Sequence, residues 1–167
     1  FLGNEYSQFR TYLGHTLREM NCSVGIYGQW KSITADGVNQ YDFSTADSLY
    51  KKCGMTISDC QHTRSVGYVS NRLYQAMYAG AFVLQQRIPE MEKYIGMRDG
   101  VHLATWSNLE DLPAKIDYWL HHPEERRKIA DNGREYVTRN CSFRSRVAEL
   151  EQMLQPLLQK KRDGKKG

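Results

Sequence analysis

Apolar positions along the chain alternate between short unbroken runs and stripes at helical spacing, the pattern of strands and helices taken in turn. Cys22-Ser23-Val24-Gly25-Ile26-Tyr27, Gly54-Met55-Thr56-Ile57-Ser58, Phe82-Val83-Leu84 and Val101-His102-Leu103-Ala104 are the runs, and Phe1-Leu2-Gly3-Asn4 reads as the end of another. Between them, Phe9, Leu13 and Leu17 predict a helix over 7–20, with Arg10 and Arg18 on other faces and Asn21 as its stop. Ala46 and Leu49 turn inward on a short helix capped by Ser44 or Thr45 and ending at Tyr50. A third helix starts at Ser70 or Asn71, faces Leu73, Ala76 and Met77 toward a sheet, and runs to Ala79, where Gly80 stops it.

Past the strand at 101–104 the chain turns helical. Leu109, Leu112, Ile116, Trp119 and Leu120 form one stripe, entered through the capping box Ser107-Asn108-Leu109-Glu110 or, if Pro113 marks the first turn, at Asp111-Leu112. Pro123 starts the next helix, whose Ile129, Ala130, Gly133, Tyr136 and Val137 point inward; Gly133 permits close packing at a cost near 1 kcal/mol against Ala. Ser142 caps a last helix with Phe143, Val147, Leu150, Leu154 and Leu157 inward. Strands alternating with helices predict an α/β fold, a Rossmann-like three-layer sandwich with a parallel sheet of about five strands, helices on both faces and the C-terminal helices packed outside. We expect one domain over 1–158 and a disordered basic tail over 159–167.

Composition adds limits. A chain of 167 residues with 40% hydrophobic content can bury one good core. Its net charge of +4 owes much to Lys160, Lys161, Arg162, Lys165 and Lys166, opposed in the tail only by Asp163, so the body is near neutral and no nucleic-acid partner is expected. The tail itself is a candidate contact for a peripheral membrane or acidic surface. Cys22, Cys53, Cys60 and Cys141 have no zinc-ligand spacing and read as reduced thiols of a cytoplasmic protein; the adjacent His121-His122 pair lacks the carboxylates or cysteines that would complete a metal site. No run approaches membrane-spanning length, and the opening residues suggest a piece cut from a longer protein.

Candidate chemistry gathers after the strand at 54–58. A polar, Gly-containing segment over 61–69, with Arg64, Ser65 and Gly67, leads to a helix start carrying Asn71 and Arg72. In a parallel α/β sheet this is the crevice where helix N–H groups and a positive dipole face an anion. Arg72 adds full charge, while Asn71 and Gln75, four apart, can offer amide groups to a ribose or sugar; the alternative is a capped helix with a wet polar face. Trp30 could stack on a base or serve as a packing anchor, and Glu90, after Pro89, can stabilise a helix dipole. His102 reads as a surface strand residue rather than a catalyst.

The run Asn71-Arg72-Leu73-Tyr74-Gln75-Ala76-Met77-Tyr78-Ala79-Gly80-Ala81-Phe82-Val83-Leu84, followed by Pro89-Glu90-Met91-Glu92, resembles the donor-binding core of group-1 glycosyltransferases of the GT-B fold. Asp99-Gly100-Val101-His102-Leu103, Leu109-Glu110-Asp111-Leu112, residues 120–127, Ala130-Asp131-Asn132-Gly133-Arg134 and residues 137–146 resemble that family's later segments, in order. The likeness covers roughly residues 53–150, and Phe1-Leu2-Gly3-Asn4 resembles the opening of the family's C-terminal half. It implies a domain that binds a nucleoside-diphosphate sugar, without metal or other cofactor, through Gly3, Asn4, Gly28, Arg64, Ser65, Gly67, Asn71, Arg72, Gln75 and Glu90. Arg72 would be the catalytic cation, neutralising charge on the departing diphosphate. The acceptor site would lie in an N-terminal domain missing here, and terminal helices that pack across both domains in such proteins would leave part of the last stripe exposed. One departure stands out: the family's Glu, as in R-x-F-E, is here Gln75, which keeps hydrogen-bonding reach but loses the charge. A non-catalytic nucleotide- or sugar-binding module is therefore the alternative.

Overall fold

The computed structural model describes residues 1–37, 43–60, 62 and 65–163. In chain order it holds α1 (Gln8–Glu19), α2 (Phe43–Lys52), β1 (Thr56–Ser58), α3 (Asn71–Tyr78), β2 (Val83–Gln86), α4 (Met91–Ile95), β3 (Ala104–Trp106), α5 (Leu112–His121), α6 (Pro123–Asn140) and α7 (Phe143–Asp163). The strands form one parallel sheet in the order β1-β2-β3, with Thr56 opposite Val83 and Leu84 opposite Ala104. Every residue of all three is buried, as expected of a parallel sheet covered on both faces.

Two apolar cores flank it. On one side Leu13 and Leu17 of α1 and Leu112, Ile116 and Trp119 of α5 pack with Leu84 and Trp106. On the other, Tyr50 of α2, Leu73, Ala76 and Met77 of α3, and Met91 of α4 pack with Val83. Adjacent strand residues thus enter opposite cores, which gives the three layers. Helix α6 serves both, sending Ile129 and Ala130 into the first core and Val137 into the second. A Cβ on Gly133 would meet the His102 carbonyl and, at 3.0 Å, Met77 Cε, so the glycine admits the close packing expected of it.

Several sequence expectations need correction. Among the described residues the sheet has three strands, not about five. The runs at 1–4 and 22–27 do lie side by side, with Gly3 N–H to Tyr27 O and Tyr27 N–H to Phe1 O both 2.9 Å, but the pairing is the single parallel bridge Leu2–Tyr27. Past Gly28, at φ 132°, Glu5 N–H still reaches Gln29 O at 2.8 Å, but Gln29 N–H goes to Asn4 Oδ1 and not to a backbone carbonyl, which interrupts the ladder. The strand expected at 101–104 lies at 104–106, because Val101 and His102 fold into a turn on the Arg98 carbonyl. Helix α5 starts by the Pro113 alternative; instead of a capping box, Asp111 accepts from the Ser107 and Asn108 N–H groups. The apolar stripe of α7 faces outward, Phe143 being 92% exposed, and this helix runs to Asp163 rather than fraying after Leu158. The remaining tail, 164–167, is outside the described residues.

Candidate functional site

Strand β1 delivers Asp59 to its carboxyl end, and the chain returns there through α3. Asp59 is 2% exposed and is held by Arg10 from α1: Nε donates to Oδ2 at 2.8 Å and Nη2 to Oδ1 at 2.7 Å, a fork-on-fork pair. Arg10 itself is 1% exposed, gives its remaining Nη1 to the Asn4 carbonyl at 2.6 Å, and lies 4.0 Å from the Tyr6 ring centroid. Arg72, in the first turn of α3, donates Nη2 to Asp59 Oδ1 at 3.2 Å and Nη1 to the Leu2 carbonyl at 2.6 Å, and keeps 23% of its side chain exposed. Two guanidinium groups share one carboxylate, so the cluster carries one net positive charge.

Above it opens a cavity of about 390 Å³ lined by Gly3, Asn4, Tyr6, Arg10, Tyr68, Ser70, Asn71, Arg72 and Gln75. The N–H groups of Asn71 and Arg72 begin α3 and have no intrahelical acceptor, which adds partial positive charge at the same wall. Ser70 stands at the N-cap, but its hydroxyl makes no cap; Oγ is buried with no partner among the described residues.

Residues 3–5 form the rim and are clamped to the turn at 28–32. Asn4 Oδ1 accepts from Gln29 N–H at 2.9 Å, Trp30 Nε1 donates to Gly3 O at 2.8 Å, and Glu5 Oε2 accepts from the N–H groups of Lys31 and Ser32. Hydrogen bonds from the Ser32 side chain first, then from Thr11 and those backbone groups, hold the Glu5 carboxyl at a pKa of about 2. Trp30 is a packing anchor, with its ring against Gly14 and edge-on to Phe1. A Cβ on Gly28 would strike the Gly3 carbonyl, and one on Gly3 would strike Arg72 Nη1. Both glycines therefore serve close approach: Gly28 supports the rim from behind, and Gly3 admits the guanidinium.

Of the residues expected at the site, the cavity gathers Gly3, Asn4, Asn71, Arg72 and Gln75, with Gly28 one layer behind. Arg64 is outside the described residues. Ser65 is exposed and spends its backbone on His62 and Tyr68. Gly67, at φ 66°, packs against Tyr94 and donates to the Pro89 carbonyl. Glu90 adopts φ 50° ahead of α4 and pairs with Lys93 at 2.8 Å, with no side-chain cap. None of these three lines the cavity. His102 is no strand residue: its Nδ1 accepts from Arg98 N–H, and burial lowers its pKa. His121 and His122 each hold a backbone carbonyl four residues back, and the four cysteines are free. Sequence reasoning missed Tyr6, Arg10, Asp59 and Tyr68. The signal available was Asp59, a carboxylate directly after a buried strand, where a charge must find a partner.

An open parallel α/β sheet with a cationic cavity beside a strand's carboxyl end and a helix amino end is the architecture of the Rossmann-like class. Residues 10–152 match the family model for glycosyl transferase-like proteins, and the chain belongs to that family. Among curated proteins none matches the sequence. Family membership supports glycosyl transfer as the general activity. No helix among the described residues is long and apolar enough to cross a membrane.

Proposed function

We propose that the chain is the donor-binding, C-terminal half of a metal-independent GT-B glycosyltransferase, holding a nucleoside-diphosphate sugar in the cavity beside α3. The observation that carries this reading is the Arg10–Asp59–Arg72 cluster, whose single uncompensated charge faces the α3 amino end. A diphosphate would meet Arg72 and the first-turn N–H groups, and the charge that develops on it as the sugar departs would be met by groups already in place. Asn71 and Gln75 supply amides for ribose or sugar hydroxyls; neither side chain has a hydrogen-bond partner among the described residues. The acceptor would come from an N-terminal domain, and the outward stripe of α7 offers an apolar face for it.

The test is a titration with uridine, guanosine, thymidine and adenosine diphosphates followed by NMR. Shifts are expected at residues 3–6 and 68–75, and Arg72→Ala should weaken binding at least about tenfold, the worth of one charge-assisted contact. Shifts centred elsewhere, or unchanged binding by Arg72→Ala, would overturn the assignment. The isolated chain should bind weakly and transfer nothing. Gln75 in place of the family's Glu favours a second reading, a binding module that kept the fold without turnover; it requires donor binding with no transfer in the full-length protein.

A further inference from the structure

We propose that Asp59 is a positioning residue whose task is to aim the Arg72 guanidinium into the cavity, toward an oxyanion of the diphosphate kind; the ligand's identity rests on the donor-site reading above. Arg10 places one hydrogen bond on each oxygen of Asp59, at 2.8 and 2.7 Å, and Arg10 is in turn fixed by the Asn4 carbonyl and the Tyr6 ring. The carboxylate therefore cannot rotate toward Arg72. It presents one remaining lone-pair direction on Oδ1, and Arg72 Nη2 takes it at 3.2 Å. The shorter bond of Arg72, 2.6 Å from Nη1, goes to the neutral Leu2 carbonyl. Had neutralisation been the purpose of the contact, the carboxylate would hold the closer bond. Instead two acceptors from separate chain segments fix the guanidinium plane and consume two of its five N–H groups. The other three have no partner among the described residues, on a side chain that lines the cavity. Because Arg10 already offsets Asp59, aiming Arg72 this way leaves its charge available.

Electrostatics and positioning predict opposite signs for Asp59→Asn, measured with inorganic pyrophosphate as the probe. Removing a negative charge beside an anion site should by itself tighten binding. Loss of aim should weaken it, and we expect a loss of about tenfold, one misdirected charge-assisted bond. In an Arg72→Ala background the same exchange should cause no further loss, since Asp59 acts through Arg72. Tighter binding, or an equal loss in both backgrounds, would overturn the proposal. Asp59→Asn leaves Arg10 buried without its counter-charge and can unfold the chain, so Arg72→Lys provides a fold-sparing arm. It keeps the charge, cannot span both acceptors, and should weaken pyrophosphate binding several-fold; wild-type affinity would overturn the proposal. A ligand-free readout separates this inference from the reading beneath it. The Arg72 side-chain NMR signals should show slow rotation about the Nε–Cζ bond in the wild type and fast rotation in Asp59→Asn. Fast rotation in the wild type overturns the positioning role, whereas slow rotation in a protein that ignores pyrophosphate overturns the donor site alone.

Discussion

Replacing Arg10 by Met tests how much the buried pair beneath the cavity holds the fold together. Methionine occupies much of the arginine stem's volume, so the cavity term is small and the change is mainly electrostatic. Asp59 would lose two charge-assisted bonds while remaining 2% exposed, and the Asn4 carbonyl would lose a third. Removing one partner of a buried ion pair costs roughly 3–5 kcal/mol. Arg72, still 3.2 Å from Asp59, compensates part of the stranded charge, which places the expectation at the lower end, about 3 kcal/mol. For a chain of this length that corresponds to a fall in Tm of about 6–12 °C. Urea unfolding followed by circular dichroism should show a lower midpoint with an unchanged slope. Adding Asp59→Asn to Arg10→Met removes the stranded charge, so the double variant should be more stable than Arg10→Met alone. A loss under about 1 kcal/mol, or strictly additive losses, would refute the view that this pair acts as one buried unit.

Gly28→Ala should destabilise by about 2 kcal/mol or more, because φ 132° excludes a side chain and the added Cβ strikes the Gly3 carbonyl; Gly100→Ala, at φ 71° with nothing within 4 Å, should cost only about 1 kcal/mol, and equal losses in urea melts would contradict the packing argument. Glu5 has a folded pKa of about 2 against 4.5, so its stabilisation is complete above the unfolded value and is lost as pH falls from about 4.5 toward 2. The stability gap between wild type and Glu5→Gln should accordingly be widest near pH 7 and close across that window; a gap independent of pH would show that the carboxylate is not the clamp. Gln75→Glu in the full-length protein should tighten nucleoside-diphosphate binding about fivefold by restoring a charge-assisted ribose contact, and unchanged affinity in calorimetry would remove Gln75 from the site.

Local pattern carried the helices well. Helix α3 lies within a residue of its expected bounds because Leu73, Ala76 and Met77 share a face and Gly80, at φ 86°, ends it. The strands fared less well: the run Val101-His102-Leu103-Ala104 reads as strand, yet a turn on Arg98 takes its first two residues, and the strand begins at Ala104. That Arg72 and Gln75 share one wall of the cavity follows from a helix start after a polar segment, whereas Arg10 reads in sequence only as lying off the apolar face of its helix. Its partner lies 49 residues away, beyond any window in which periodicity operates. Glu90, read in sequence as a sugar contact or a dipole-stabilising acid, stands at the N-cap of α4 and pairs with Lys93.

The hold of Leu2 and Asn4 on the two arginines bears on where this unit can be divided. The match to the family model begins at residue 10, on Arg10 itself, yet the backbone oxygens that restrain Arg10 and Arg72 belong to residues 4 and 2. A shortened protein starting at that boundary would retain every side chain of the ion cluster and forfeit the scaffolding that orients it, so trimming should abolish ligand capture well before it abolishes folding.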